Sequence, residues 1–533
     1  MPAPQPTPPP EPPGKPSQER SPGPSQELSK KSGREDGRER GREGAGPELD
    51  RHRQLVILGT CCMSLLIVSL DNTVLNVALP SIQRDLHTTV AGIQWTIDAY
   101  TLVIASLLML AGSTADRIGR RRVFKTGLVI FTLGSLLSSL APSLELLVVF
   151  RMLQAIGGSM LNPVALSIVT NTFTDPRERA RAIGLWGAVV GVSMAAGPLI
   201  GGVLVETVGW RAIFWINIPV GITAYVLTRR YVPESRAAKP RRVDPVGQLL
   251  VMAALGSLTY AIIEAPTSGW TSPLILTFAG VAVCAVTGLV LYEPRRSEPL
   301  IDLRFFRSAP FSGATVIAVC AFGALGGFLF MNTLYLQNVR DLSALDAGLY
   351  ILPMAALSLV CAPLSGRLVG ARGPRVPLAV AGTALGASGL MFALLEAETH
   401  LGLLFTGYVL FGIGFGMVNA PITNTAVAGM PLSQAGVAAA VASTSRQIGQ
   451  TLGVAVIGAV LAAGAASPTR RGTIDNAAFA DASRPAWWII AGLGGCVLAV
   501  GVLTSGEWAR GTARRNAARL EPSALPGSSG AQA

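Results

Sequence analysis

Three ionisable residues stand inside long apolar stretches of the first third of the chain: Asp71, Asp98 and Arg151. A carboxylate in hydrocarbon is costly, so a chain that keeps one there turns it toward a wet cavity or a partner. An acid beside an arginine stays ionised, whereas burial disfavours the charged form of an acid that has none. At 1.5 Å per residue Asp71 lies about 14 Å from the end of its stretch, and Asp98 and Arg151 about 10 Å from the ends of theirs. Two acids and one base at one level suit reversible protonation, and the three residues are the candidate proton-coupling set. The alternative for the same residues is a buried charge pair that only locks helices together.

A second polar set lies in the last third. Arg446 and Gln450 are one helical turn apart, Asn419 and Asn424 share an earlier stretch, and Asn332, Tyr335 and Gln337 close another. Asn332, Tyr335, Asn419, Arg446 and Gln450 are candidates for a substrate cavity. Interhelical hydrogen bonds are the competing role for each amide, but a lone arginine in mid-span needs a partner or water. Cys61, Cys62, Cys284, Cys320, Cys361 and Cys496 all fall in apolar stretches without metal-type spacing, and His52, His87 and His400 fall near span ends or in loops. Gly412-Ile-Gly414-Phe-Gly416 has no strand before it, and the chain has no Walker-type Gly-Lys-Ser/Thr loop. No nucleophile–base set, metal cluster or cofactor motif emerges, so no enzyme activity, metal or cofactor is expected.

The elements that must position these residues are membrane helices. Half of the 533 residues are hydrophobic (50%) and only 14% are charged, against about 25% charged in average soluble proteins. Mean hydropathy is +0.47. The apolar stretches read as 55–80, 91–114, 123–140, 144–170, 180–205, 212–232, 246–264, 273–292, 310–337, 345–367, 376–396, 401–426, 436–465 and 486–506. Fourteen spans follow, or twelve if 246–264 and 273–292 only lie on the surface; their length favours crossing. The class is an all-α polytopic membrane protein. Residues 1–53, rich in Pro, Ser, Gly and charge, read as a disordered tail.

Net charge is +12, yet the basic residues sit in short loops and orient helices rather than bind nucleic acid. Alternate loops carry Arg117, Arg120, Arg121, Arg122 and Lys125, then Arg177, Arg179 and Arg181, then Arg229, Arg230, Arg236, Lys239, Arg241 and Arg242, with further clusters at 295–307 and 367–375. The intervening loops carry only Arg84, Arg211, Arg340, Arg470, Arg471 and Arg484. This asymmetry places both termini in the cytoplasm.

The chain also echoes itself. Gly112-Ser-Thr-Ala-Asp116-Arg117-Ile-Gly119-Arg120-Arg121 follows the second span, and Gly366-Arg-Leu-Val-Gly370-Ala-Arg372-Gly373-Pro-Arg375 follows the tenth with the same glycine spacing. Two similar halves joined by an insert are the mark of a secondary transporter. The boundaries read as 54–232 for the first six-helix half, 233–308 for a two-helix insert, 309–507 for the second half and 508–533 for a cytoplasmic tail. In the first copy the glycines make a tight turn, and Asp116 either caps the next helix or pairs with a neighbouring arginine. The loop's role is conformational. In the fifth span, Gly197, Pro198, Gly201 and Gly202 permit close helix approach and a kink.

Together these segments resemble the major facilitator superfamily, specifically its fourteen-span drug:proton antiporter family, over essentially everything after the tail. Leu70-Asp71-Asn72-Thr73-Val74 through Pro80 is similar to the family's first-helix motif. Gly112–Arg122 resembles the superfamily loop, with Thr114 where an aliphatic residue is usual. Arg151, Gln154 and Gly157 resemble the fourth-helix motif implicated in proton transfer. Gly197-Pro198 and Gly201-Gly202 resemble the antiporter motif, and Trp210 through Pro219 the sixth-helix entry. The resemblance implies export of amphipathic, often cationic compounds, including antibiotics in producing bacteria, in exchange for protons across the plasma membrane. The partners so implied are a small amphipathic substrate, protons and the bilayer, with the transporter a monomer. An importer or facilitator of a small metabolite is the alternative within transport, and a non-transporting sensor or scaffold the alternative outside it.

Overall fold

A computed structural model describes residues 50–237, 244–296, 298–396, 399–428, 430–431, 434–465 and 476–520. The chain divides into Met1–Arg51 and His52–Ala533. The expected disordered tail, apart from its last four residues, lies outside the described residues, as do Lys239, Arg241, Arg242, Arg470 and Arg471.

In a bilayer, backbone polar groups must be satisfied within the segment, and helices do this. The first six crossings are α1 (Arg51–Asp85), α2 (Val90–Ile118), α3 (Arg120–Ser139), α4 (Leu144–Thr172), α5 (Pro176–Thr207) and the broken pair α6 (Ala212–Trp215) and α7 (Asn217–Tyr231). The insert is α8 (Pro245–Ser268) and α9 (Pro273–Tyr292). The last six are α10 (Ala309–Leu334), α11 (Ala344–Arg372), α12 (Arg375–Phe392), α13 (Leu401–Val427), α14 (Ala435–Ala465) and α15 (Asn476–Thr504). Short turns with side-chain caps separate them: Thr89, Ser143, Asp175, Asp244, Ser272 and Ser343 each accept a bond from a first-turn amide.

Among the described residues, 13 helices are long and apolar enough to cross a membrane. The remaining expected span, α3, is a 20-residue helix whose start carries Arg120, Arg121, Arg122 and Lys125. It packs along α4 and, as expected, stands as a helix of its own between the second and fourth spans. The segment after 507 forms a helix, α16 (Glu507–Leu520), whose Ala509, Ala513 and Asn516 are buried against the start of α10. These recur at helical spacing, and Thr512 Oγ1 accepts a bond from Ala309 N at 3.0 Å.

The chain crosses back and forth, so its loops fall on two sides. On one, Asp85 accepts bonds from Trp210 Nε1 (2.8 Å) and Arg211 Nη1 (2.7 Å), and Arg211 also donates to Ala141 O. On the other lie Asp116 and the basic loops. The first and last six helices meet through α5 on α11 and α2 on α14, and α8 packs against both α2 and α14.

Candidate functional site

The site is built around Asp71, on α1 and only 3% exposed. One carboxylate oxygen forms an ion pair with Arg151 Nη1 on α4. The other accepts from Gln154 Nε2 at 2.8 Å and from Asn217 Nδ2 at 2.8 Å. Arg151 and Gln154 are three residues apart, so one face of α4 presents both, and Arg151 Nη1 also donates to Gln154 Oε1 at 2.9 Å. Asn217 comes from the break between α6 and α7. Pro219 has no N–H for the carbonyl of Trp215, so the helix interrupts there. Asn217 is anchored by Ser135 Oγ at 3.1 Å, which itself donates to Phe214 O. Beneath the pair, the Arg151 guanidinium lies 4.0 Å from the Tyr100 ring centre, and Arg151 Nε donates to Thr96 O. Arg151, Gln154 and Asn217 are fully buried. Three helices, α1, α4 and α7, thus converge on one carboxylate whose charge is balanced and whose oxygens are bonded, the condition for holding an ion in low dielectric.

Asp98 is level with this cluster but does not join it. Arg151 touches Thr96 and Tyr100, which bracket Asp98 in sequence. At about 100° per residue, Asp98 points from the side of α2 nearly opposite to Thr96 and Tyr100. It shares that side with Gln94, whose Nε2 donates to Val454 O and Ala455 O at 3.1 Å each, and with Thr101, whose hydroxyl meets Thr451 Oγ1 at 2.8 Å. Asp98 therefore faces α14 of the other half. It is fully buried, and neither carboxyl oxygen meets a hydrogen-bond partner among the described residues.

The loop after α2 settles the alternatives for Asp116: it pairs with Arg120, at 3.1 Å to Nε and 2.8 Å to Nη2, rather than capping α3. Gly119 has φ +121°, and a Cβ there would stand 2.5 Å from the Glu234 carboxylate. Glu234 in turn accepts from Arg121 N at 3.0 Å, and Arg120 N donates to Ser235 O. Gly112 packs near Pro163 of α4, and Arg117 is exposed. In the second copy Gly373, the counterpart of Gly119, also has positive φ (+78°). The echo is thus one of backbone shape.

The fifth-span motif packs two ways. Gly197 and Gly201 lie against Thr73 and Val74 of α1, and a Cβ on Gly202 would stand 2.6 Å from Leu345 Cα of α11. Gly348 of α11 packs on the Pro198 carbonyl. The motif is the seam between halves, one turn from Asp71.

In the second half, Asn332 and Tyr335 are buried in internal bonds: Tyr408 donates to Asn332 Oδ1 at 2.6 Å, and Tyr335 to Glu396 O at 2.9 Å. Gln450 is 8% exposed, beside Gly326 of α10. Asn419 and Arg446 keep partial exposure. Arg446 Nη2 donates to Thr423 Oγ1 at 2.5 Å, and its guanidinium lies 5.9 Å from the Phe322 ring centre.

Sequence reasoning missed Asn217, Ser135 and Glu234 as site residues. Asn217 stood in a quoted motif, but only the fold brings it 2.8 Å from Asp71. It also passed over Glu264 of α8, which accepts from Trp95 Nε1 at 2.9 Å and ties the insert to α2.

The family model for the Major Facilitator Superfamily matches residues 61–454. The chain is 39% identical over 410 residues to "Multidrug resistance protein Stp" of Mycobacterium tuberculosis, covering 77% of this chain and 76% of that protein. It is 39% identical over 414 residues to "Tetracenomycin C resistance and export protein" of Streptomyces glaucescens, covering 77% of each. It is 36% identical over 420 residues to "Puromycin resistance protein pur8" of Streptomyces alboniger, covering 78% and 82%. In fold it matches the crystal structure of a bacterial homologue of the human lysosomal transporter Spinster, with TM-score 0.63 and 19% identity over 88% of this chain and 99% of that one. On the match of the family model over most of its length and on these relatives, the chain belongs to the Major Facilitator Superfamily, as a multi-pass membrane transporter, not an enzyme, homologous to antibiotic and multidrug resistance exporters.

Proposed function

We propose that this transporter exports small amphipathic compounds across the bacterial plasma membrane in exchange for protons, by alternating access. The basic loops accumulate on the Asp116 side, which the charge rule assigns to the cytoplasm together with both termini. The rocking units are residues 54–232 and 309–507, with the insert 233–308 and the C-terminal tail 508–533 outside them; one chain is the working unit. Among the described residues, the hydrogen bonds that cross between the halves, at Gln94, Thr451 and Gln337 to Val77 O (2.8 Å), lie toward the Asp85 side. Toward the Asp116 side, Gly184, Leu185, Gly187, Ala188 and Val190 expose α5 around much of its circumference. This pattern supports a state closed outside and open to the cytoplasm.

The observation that carries the reading is the Asp71 cluster. A proton on Asp71 cancels its pairing with Arg151 and loosens the contact among α1, α4 and α7, so protonation biases the balance of states. Asp98 works from the other side of α2. A charged carboxylate without donors opposes closure of α2 on α14, and a protonated one permits it. A proton taken up from outside lets the outer seam close; its release inward, as cargo loads, completes the exchange. The membrane potential adds about 2.3 kcal/mol per charge per 100 mV.

Inverted membrane vesicles test the direction. Under a proton gradient, acid inside, vesicles carrying the transporter should accumulate a drug to which it confers resistance, and a protonophore should abolish this. Accumulation that ignores the protonophore would refute proton coupling.

A further inference from the structure

We propose that Arg446 receives an acidic group of the cargo, so that the preferred substrates are amphipathic aromatic acids or phenols rather than cations. The proposal rests on the export reading above and narrows it.

The interior charges decide the sign. Asp71 is neutralised by Arg151 and bonded by Gln154 and Asn217, so it offers no free carboxylate to a ligand. Asp98 is sealed between α2 and α14. Arg446 differs from both. Its hydrogen bonds are to hydroxyls, Thr423 Oγ1 at 2.5 Å and Ser443 Oγ at 3.4 Å, and no carboxylate lies within ion-pair distance among the described residues. Its Nε is buried without an acceptor. A cation held this way in mid-span calls for an anion or water.

The surroundings fit an aromatic acid. Phe322, under the guanidinium, meets Phe415 edge to face at 5.2 Å, giving ring surface beside the charge. Asn419 and Thr423 sit one turn apart on α13; Asn419 is partly exposed and Thr423 exposed. The planar guanidinium matches a carboxylate or phenolate through paired N–H donors. Arg446 also lies toward the end of the bundle where α5 is exposed, the side from which an exporter loads.

The test uses purified full-length protein in nanodiscs, without a gradient. The probes are 9-anthracenecarboxylate and 9-(aminomethyl)anthracene, matched in ring and opposite in charge, titrated by fluorescence. The carboxylate should bind at least about tenfold tighter than the amine, as expected for charge-assisted bonds. Arg446→Gln should erase that preference by weakening the carboxylate about tenfold while leaving the amine within about twofold. Arg446→Lys should keep the preference at reduced affinity, since a point charge replaces the fork. Preference for the amine, absence of carboxylate binding, or unchanged carboxylate affinity in Arg446→Gln would overturn the proposal. If Arg446→Gln fails to fold, the wild-type preference and the Arg446→Lys titration decide. Charge-selective binding without proton-driven transport in vesicles would instead sink the export reading, leaving Arg446 a binder of aromatic acids with no cargo role.

Discussion

Replacing Arg151 with Gln removes the cation paired with Asp71. The carboxylate keeps Gln154 and Asn217 at 2.8 Å each, but two neutral donors do not balance a buried charge. Breaking a buried pair from one side costs about 3–5 kcal/mol, because the remaining charge is uncompensated. The Arg151–Tyr100 stacking, at 4.0 Å, is lost as well, worth about 2 kcal/mol when desolvated. Asp71→Asn alone leaves Arg151 buried without its anion and should cost a similar amount. The double variant Asp71→Asn/Arg151→Gln removes both charges and should recover a large part of the loss, giving a coupling energy of about 1.5 kcal/mol or more. The assay is a double-mutant cycle on unfolding of the purified protein in detergent, with drug export followed in parallel. Additive single effects, or a double variant less stable than either single one, would refute the buried pair. Export should stay lost in the double variant although stability returns, because no titrating acid remains at that position.

Two further outcomes follow from packing. Gly119→Ala forces a Cβ onto φ +121° and toward the Glu234 carboxylate; strain of about 1–3 kcal/mol should slow export, and Glu234→Ala should not rescue it, because the backbone conformation remains unfavourable. Gly202→Val pushes side-chain atoms into the Leu345 backbone and should hold the outer seam apart, read as increased labelling from outside of a cysteine placed at Thr451; unchanged labelling would remove the seam from the account.

Much of the architecture was legible because hydrocarbon enforces it: long apolar stretches must become helices, and the loop charges alternate. The 20-residue α3 was legible as a span, although its basic start dilutes its hydropathy. The Asp71–Arg151 pair was readable because lone charges in apolar runs need partners. Asp98 was readable as an acid but not in its direction. The same helical period that predicts the span puts Asp98 opposite Tyr100, yet only the neighbours α4 and α14 reveal which side meets Arg151. The roles of Asn217 and Ser135 were out of reach for another reason: their hydrogen bonds close over sequence separations of 146 and 82 residues, and nothing local points either side chain at Asp71, although Asn217 lies in the sixth-helix motif. Asn332 and Tyr335 looked like cavity residues because any polar group in a span does; their partners Tyr408 and Glu396 appear only once α10 and α13 are packed. The helix α16 was hidden by its arginines, which mask the short stripe of Ala509, Ala513 and Asn516.

The most direct measurement is proton movement coupled to drug movement in proteoliposomes, wild type against Asp71→Asn. A drug gradient imposed across wild-type vesicles should drive protons the opposite way, seen with an internal pH dye. The Asp71→Asn protein, reconstituted to the same level and still binding drug, should move none. Drug-driven proton flux at the wild-type rate in Asp71→Asn would contradict the assignment of Asp71 as the coupling acid.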